Sequence, residues 1–77
     1  MDMRKLVGAN LRLARTAKGL IQEELAERSG FSQQYISELE NGRRNPTIVS
    51  IYELAQALGI AHEELVARQI KPYSKME

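Results

Sequence analysis

The sequence holds no cysteine, so it can form neither a disulfide nor a thiolate metal site, and a reducing compartment is expected. Histidine occurs once, at His62. No phosphate-binding glycine loop and no metal-ligand spacing is present, so neither catalysis nor a cofactor nor a metal is expected. Apolar runs last only a few residues. Neither a transmembrane helix nor a secretory leader can be drawn from them, and the expected address is cytoplasmic, with no membrane partner. Internal repeats and low-complexity stretches are also missing.

What is present is one small domain's worth of chain. Its 77 residues suffice for a single modest core, and at that size a second copy would add stability that burial alone supplies sparingly. The formal net charge is only +1, but the charges are unevenly placed. Arg4, Lys5, Arg12, Arg15 and Lys18 stand near the start against Asp2 alone, and Arg43–Arg44 form a second basic pair. Acids gather at Glu23, Glu24, Glu27, Glu38 and Glu40. Such a pattern fits either one positive face or an ordinary mixed surface.

Glycines at 19, 30, 42 and 59 punctuate stretches of helical periodicity, and strong helix formers fill the intervals. An all-α fold of five helices is therefore expected in a domain over residues 1–68, followed by a polar tail at 69–77 that Pro72 keeps from being helical. The first helix is predicted over Met3 to Lys18, with Val7, Leu11 and Ala14 on one face and Gly8 allowing a close approach. The second runs over Gln22 to Arg28 and turns Leu25 and Ala26 inward. Ser29-Gly30-Phe31 makes a tight turn, and Ser32 caps a third helix reaching about Asn41, with Ile36 and Leu39 as its anchors. Thr47 caps a fourth helix to Leu58, whose expected apolar stripe is Ile48, Ile51, Leu54, Ala55 and Leu58. A short fifth helix is predicted from His62 to Arg68.

Two short helices joined by a glycine-containing turn are what a helix-turn-helix requires. In that motif the first helix crosses the phosphate backbone and the second lies in the major groove of double-stranded DNA. The third helix here has an apolar inner face and leaves Gln33, Gln34, Ser37 and Glu38 outward. A glutamine amide can meet adenine N6 and N7 together, and Glu38 could accept from a cytosine N4 amine, so these four are the candidate base readers. Candidate backbone contacts are Ser32 (a cap first), Asn41 through its backbone N–H, and Arg43 and Arg44. Tyr35 is open between two roles: its hydroxyl on phosphate, or its ring against Arg43.

The segment from Val7 to Leu65 resembles the Cro/repressor-type, or XRE-like, helix-turn-helix family. The resemblance is carried by Arg15, Gly19-Leu20, Gln22-Glu23-Glu24-Leu25-Ala26, Gly30, Tyr35-Ile36-Ser37, Glu40, Gly42, Pro46 and Leu54-Ala55-Gln56-Ala57-Leu58-Gly59. It implies a compact lambda-repressor-like domain acting as a transcriptional regulator. It also implies that Gln22 touches phosphate at the start of the second helix and that Arg15 pairs with Glu40 as a structural brace. Tyr35-Ile36-Ser37-Glu38 with Gly42-Arg43-Arg44-Asn45 is similar to the controller proteins of restriction–modification systems, whereas Gln33-Gln34 resembles certain phage repressors. Two positions depart from the family pattern: Ile21 and Ala61 stand where a capping serine or threonine is usual.

One such domain reads few base pairs, so a homodimer on a (pseudo)palindromic operator is expected, with half-sites ~34 Å apart. Ile60, Leu65, Val66 and Ile70 are the expected isologous interface, joined by Tyr52 or Tyr73; the plainer reading has them close the monomer core. An antitoxin that also binds a protein partner is the alternative function, though residues 69–77 offer little for wrapping one. Glu23, Glu24 and Glu27 could present an acidic patch to RNA polymerase or simply face solvent.

Overall fold

The computed structural model describes residues 2–68, and Ile70, Tyr73 and the remainder of the expected tail lie outside the described residues. Five helices and no strand occur among the described residues: α1 (Met3–Ala17), α2 (Gln22–Ser29), α3 (Gln33–Glu40), α4 (Ile48–Leu58) and α5 (Glu63–Val66). No helix among them is long and apolar enough to cross a membrane.

Each start is written in local chemistry. Asp2 accepts from the Arg4 N–H, Ser32 from that of Tyr35, and Thr47 from that of Ser50, so three helices have a side-chain cap. Ile21 offers no acceptor at the start of α2; only the reciprocal half is present, Glu24 accepting from the Ile21 N–H at 2.9 Å. Gly30 ends α2 in the left-handed region at φ 84°, the conformation that lets the chain reverse into α3 at once.

The core is one cluster built on Leu11, Leu25, Ile36, Leu39, Leu54 and Leu65, all essentially without solvent contact. α1 packs on α3 and α5, while α2 packs on α3 and α4. Gly8 is the closest point: a Cβ there would meet the carbonyl oxygens of Leu39 and Glu40, so no side chain fits between α1 and the end of α3.

The fifth helix is shorter than the expected span of His62 to Arg68 because Ala67 is already extended. The cause lies on α1. Asn10, 5% exposed on the apolar face between Val7 and Leu11, donates from Nδ2 to the carbonyls of Leu65 and Ala67 at 3.0 and 2.8 Å. Those carbonyls are satisfied from outside the helix, and the chain leaves it. Two further expectations are corrected. Leu65, expected at a dimer interface, is 0% exposed and belongs to the monomer core; it closes α5 onto α1. Ile48, expected in the inward stripe of α4, is 86% exposed, because burial along that row fades from Leu58 through half-buried Ile51 to the overhanging first turn.

The end of α3 is fixed by a buried charge. The Glu40 side chain has no solvent exposure, and Arg15 grips both its oxygens, Nε to Oε2 at 2.7 Å and Nη2 to Oε1 at 3.0 Å. Arg15 also donates from Nη1 to the Leu20 carbonyl, tying the α1–α2 turn into the same unit. Gln22 donates to Glu40 Oε1 at 3.0 Å, and Arg12 approaches it at 3.4 Å. Burial by itself would raise the Glu40 carboxyl, but the hydrogen bonds from Arg15 and Gln22 and the Arg15 charge outweigh it and hold the group below its ordinary value. The same bonds push Arg15 upward.

Two outcomes follow from this scaffold. Ile21→Thr supplies the missing acceptor for the Glu24 N–H and should stabilise by about 1 kcal/mol, a rise of roughly 4–8 °C in Tm for a domain this small; an unchanged Tm would contradict the start of α2. Because the folded Glu40 carboxyl lies below its unfolded value, its contribution is complete at neutral pH and is lost as pH falls through the ordinary carboxylate range. Arg15→Ala should therefore cost about 3 kcal/mol at neutral pH by stranding a buried carboxylate. That deficit should shrink on acidification, which chemical denaturation of both proteins across pH would display.

Candidate nucleic-acid interface

The scaffold aims α3 outward from its first residue. Ile36 and Leu39 are buried beneath it, while Ser32, Gln33 and Gln34 are exposed side by side at its leading end. Ser37 and Glu38 continue the same face, each partly covered. All four expected base readers therefore lie on one solvent-facing side of α3, with Arg44 of the following loop reaching over Glu38.

The surface is already ordered by its own side chains. Gln34 donates from Nε2 to Glu38 Oε2 at 3.3 Å, one helical turn on. Glu38 in turn receives Arg44 Nη1 on Oε1 at 2.9 Å, and the Arg44 guanidinium lies over the Tyr35 ring with 4.8 Å to its centroid. Phe31 flanks the same ring at 5.0 Å between centroids. The loop is held near these groups because the N–H of Arg43 donates back to the Glu38 carbonyl at 2.9 Å.

Three expectations change at this face. The Tyr35 ring is packed by a cation, but by Arg44 and not by Arg43. Its hydroxyl is not free for phosphate: it donates to Ser50 Oγ at 2.9 Å, and Ser50, buried at 7%, is itself fixed by Thr47. The Asn41 backbone N–H is spent on the Ser37 carbonyl as the C-cap of α3, and its side-chain amide donates to the same oxygen. Arg43 carries no ion pair among the described residues and is exposed, whereas Arg44 is committed to Glu38. Gln22 is at the first position of α2, half-buried, with one amide hydrogen engaged by Glu40.

Sequence reasoning missed Arg12 and Gln22 as partners of Glu40, Ser50 as the seat of Tyr35, and Asn10 as the clamp on α5. Only Asn10 had a visible signal, a polar residue between Val7 and Leu11 on a buried face.

A second exposed surface is apolar. Ile48, Val49, Tyr52 and Val66 are 86, 67, 48 and 37% exposed and line one groove between α4 and α5, with His62 at its edge. Of the expected interface residues, Val66 belongs to this groove, and Ile60 is half-buried against the core.

The comparisons with known proteins agree with this architecture. The helix-turn-helix family model HTH_3 matches residues 11–65. The HTH-type transcriptional regulator y4dJ of Sinorhizobium fredii is 68% identical over 66 residues, covering 86% of each chain. The crystal structure of a hypothetical transcription factor from Neisseria superposes with a TM-score of 0.85 at 38% identity, over 88% of this chain and 78% of that one. The restriction–modification controller protein C.AhdI of Aeromonas hydrophila gives a TM-score of 0.78 at 47% identity, over 80% of this chain and 94% of that one. With α2, the Gly30 turn and α3 in the arrangement the motif demands, the chain belongs to the XRE-type helix-turn-helix family of DNA-binding transcription regulators.

Proposed function

We propose that this regulator binds a two-half-site DNA operator sequence-specifically as a homodimer, with α3 in the major groove of each half-site. The observation that carries the reading is the pair Gln33 and Gln34, exposed at the leading end of a helix whose other face is fully anchored. Each amide can satisfy the acceptor and donor that adenine presents at N7 and N6. Ser37 and Glu38 lie further along the same face and complete the reading set. Ser32, Gln22, Asn41 and Arg43 ring it and are assigned to phosphate, Asn41 through its second amide hydrogen now that its backbone N–H is used. Tyr35 and Arg44 act on this surface mainly by shaping it.

The homodimer is assigned to the α4–α5 groove. A single domain offers too few base contacts to stand out among genomic sites, and a two-fold partner doubles them. Ile48, Val49, Tyr52 and Val66 form a contiguous apolar patch on α4 and α5, which carry none of the base readers, and self-complementary burial there covers no reading residue. Control of a restriction–modification operon is the specific role we propose, on the likeness to C.AhdI over nearly its whole length. Occupancy then acts either by blocking polymerase or by holding it beside the site.

Selection of bound duplexes from random DNA should return a two-fold-related pair of half-sites about one helical turn apart. Gln33→Ala should abolish preference at one base pair per half-site and cost about 1–3 kcal/mol there; uniform affinity for every duplex would refute base reading. Sedimentation at low micromolar concentration should show a dimer, and Val49→Glu should leave a folded monomer. A monomeric wild type at that concentration would remove the groove's assignment.

A further inference from the structure

Among the surfaces of this molecule, the contact between the loop after α3 and the middle of α3 has a consequence beyond general DNA binding. A carboxylate on a major-groove face is costly: it accepts hydrogen bonds only, and it is carried toward a phosphate-lined channel. Glu38 occupies that position, with its side chain 31% exposed. A free glutamate there would repel the duplex and swing among rotamers.

Arg44 changes both properties. Its bond to Oε1 offsets the charge, and stacking on Tyr35 fixes the direction from which that bond comes. Tyr35 cannot drift, since its hydroxyl is held by buried Ser50 and its ring lies beside Phe31. With Oε1 occupied by Arg44, Oε2 receives one hydrogen of the Gln34 amide. Gln34 then retains one N–H and its carbonyl, the pair that adenine's edge requires. Orientation thus passes in sequence from Ser50 to Tyr35, Arg44, Glu38 and Gln34.

We propose that Arg44 is a positioning residue for DNA sequence preference, acting through Glu38 and Gln34, and not chiefly a phosphate contact. The inference rests on the base-reading role assigned to α3 above. Arg44 is half exposed, at 51% for its side chain, so removing it leaves the core intact.

The test is a double-mutant cycle on the full chain, with Arg44→Met, Glu38→Gln and both together, measured by fluorescence anisotropy on the selected operator and on a scrambled duplex. Arg44→Met should weaken operator binding roughly tenfold or more, with far less effect on scrambled DNA. In the Glu38→Gln background, where no carboxylate needs a partner, the same change should cost less than about threefold. Selection with Arg44→Met should show relaxed preference at the base pair read by Gln34. A phosphate contact behaves differently: affinity falls equally on both duplexes and in both backgrounds, and the salt slope drops by about one. That result overturns the Arg44 assignment alone, provided wild type still prefers its operator. A wild type with no preference would overturn the base-reading proposal itself, and this inference with it.

Discussion

The fold hinges on one carboxylate. Glu40 ends α3, and three segments meet on it: α1 through Arg15 and Arg12, the start of α2 through Gln22, and the α1–α2 turn through the Leu20 carbonyl that Arg15 also holds. Hydrophobic contacts among Leu11, Leu25, Ile36 and Leu39 are non-directional and would tolerate some rotation of α3 about its axis. A bidentate guanidinium–carboxylate pair tolerates far less, since two bonds must be kept in plane. Apolar burial therefore supplies stability, and the ion pair supplies orientation. The close approach at Gly8 reinforces it, because α1 can lie against the carbonyls at the end of α3 only where no side chain intervenes.

The second layer of control sits on the solvent side. Tyr35 of α3 has both its ends used internally, the hydroxyl by Ser50 of α4 and the ring by Arg44 and Phe31. It converts the irregular stretch from Gly42 to Thr47 into an extension of α3's surface. The N–H of Arg43 closing on the Glu38 carbonyl does the same from the backbone. Side chains that meet a base edge are worth most when little rotamer freedom remains to be lost, so such bracing is where affinity and selectivity gain together.

Much of this was legible in the sequence. Helix spans were set by caps and glycines whose chemistry is local, so Ser32, Thr47 and Gly30 could be placed from neighbours alone. The Arg15–Glu40 pair was legible only through family resemblance, because residues 25 positions apart carry no local signature. Errors fell where burial depends on tertiary reach. Ile48 continues the periodicity of α4, yet the partners that would cover it end a turn earlier. Leu65 looked surplus to a small core because nothing local reveals that Asn10 pulls the end of α5 against α1. Arg44 and Arg43 are indistinguishable by composition, and only the direction of the loop decides which one meets Tyr35.

These assignments redistribute the charges from which the sequence seemed to build a basic face. Arg12 and Arg15 share the single charge of Glu40, Arg44 meets Glu38 and Arg4 meets Asp2, so part of the early and loop cation content is offset within the domain. Counterion release dominates non-specific affinity, and Arg43, exposed and without an ion pair among the described residues, is the loop cation beside α3 that can contribute to it. In the proposed mode of binding, discrimination depends on base-edge contacts and affinity on engaging two half-sites at once, where the second contact is made at high effective concentration. On the proposed reading, the exposed apolar groove of α4 and α5 and the internally paired arginines belong together: charges spent on geometry are compensated by the second half-site that a partner brings.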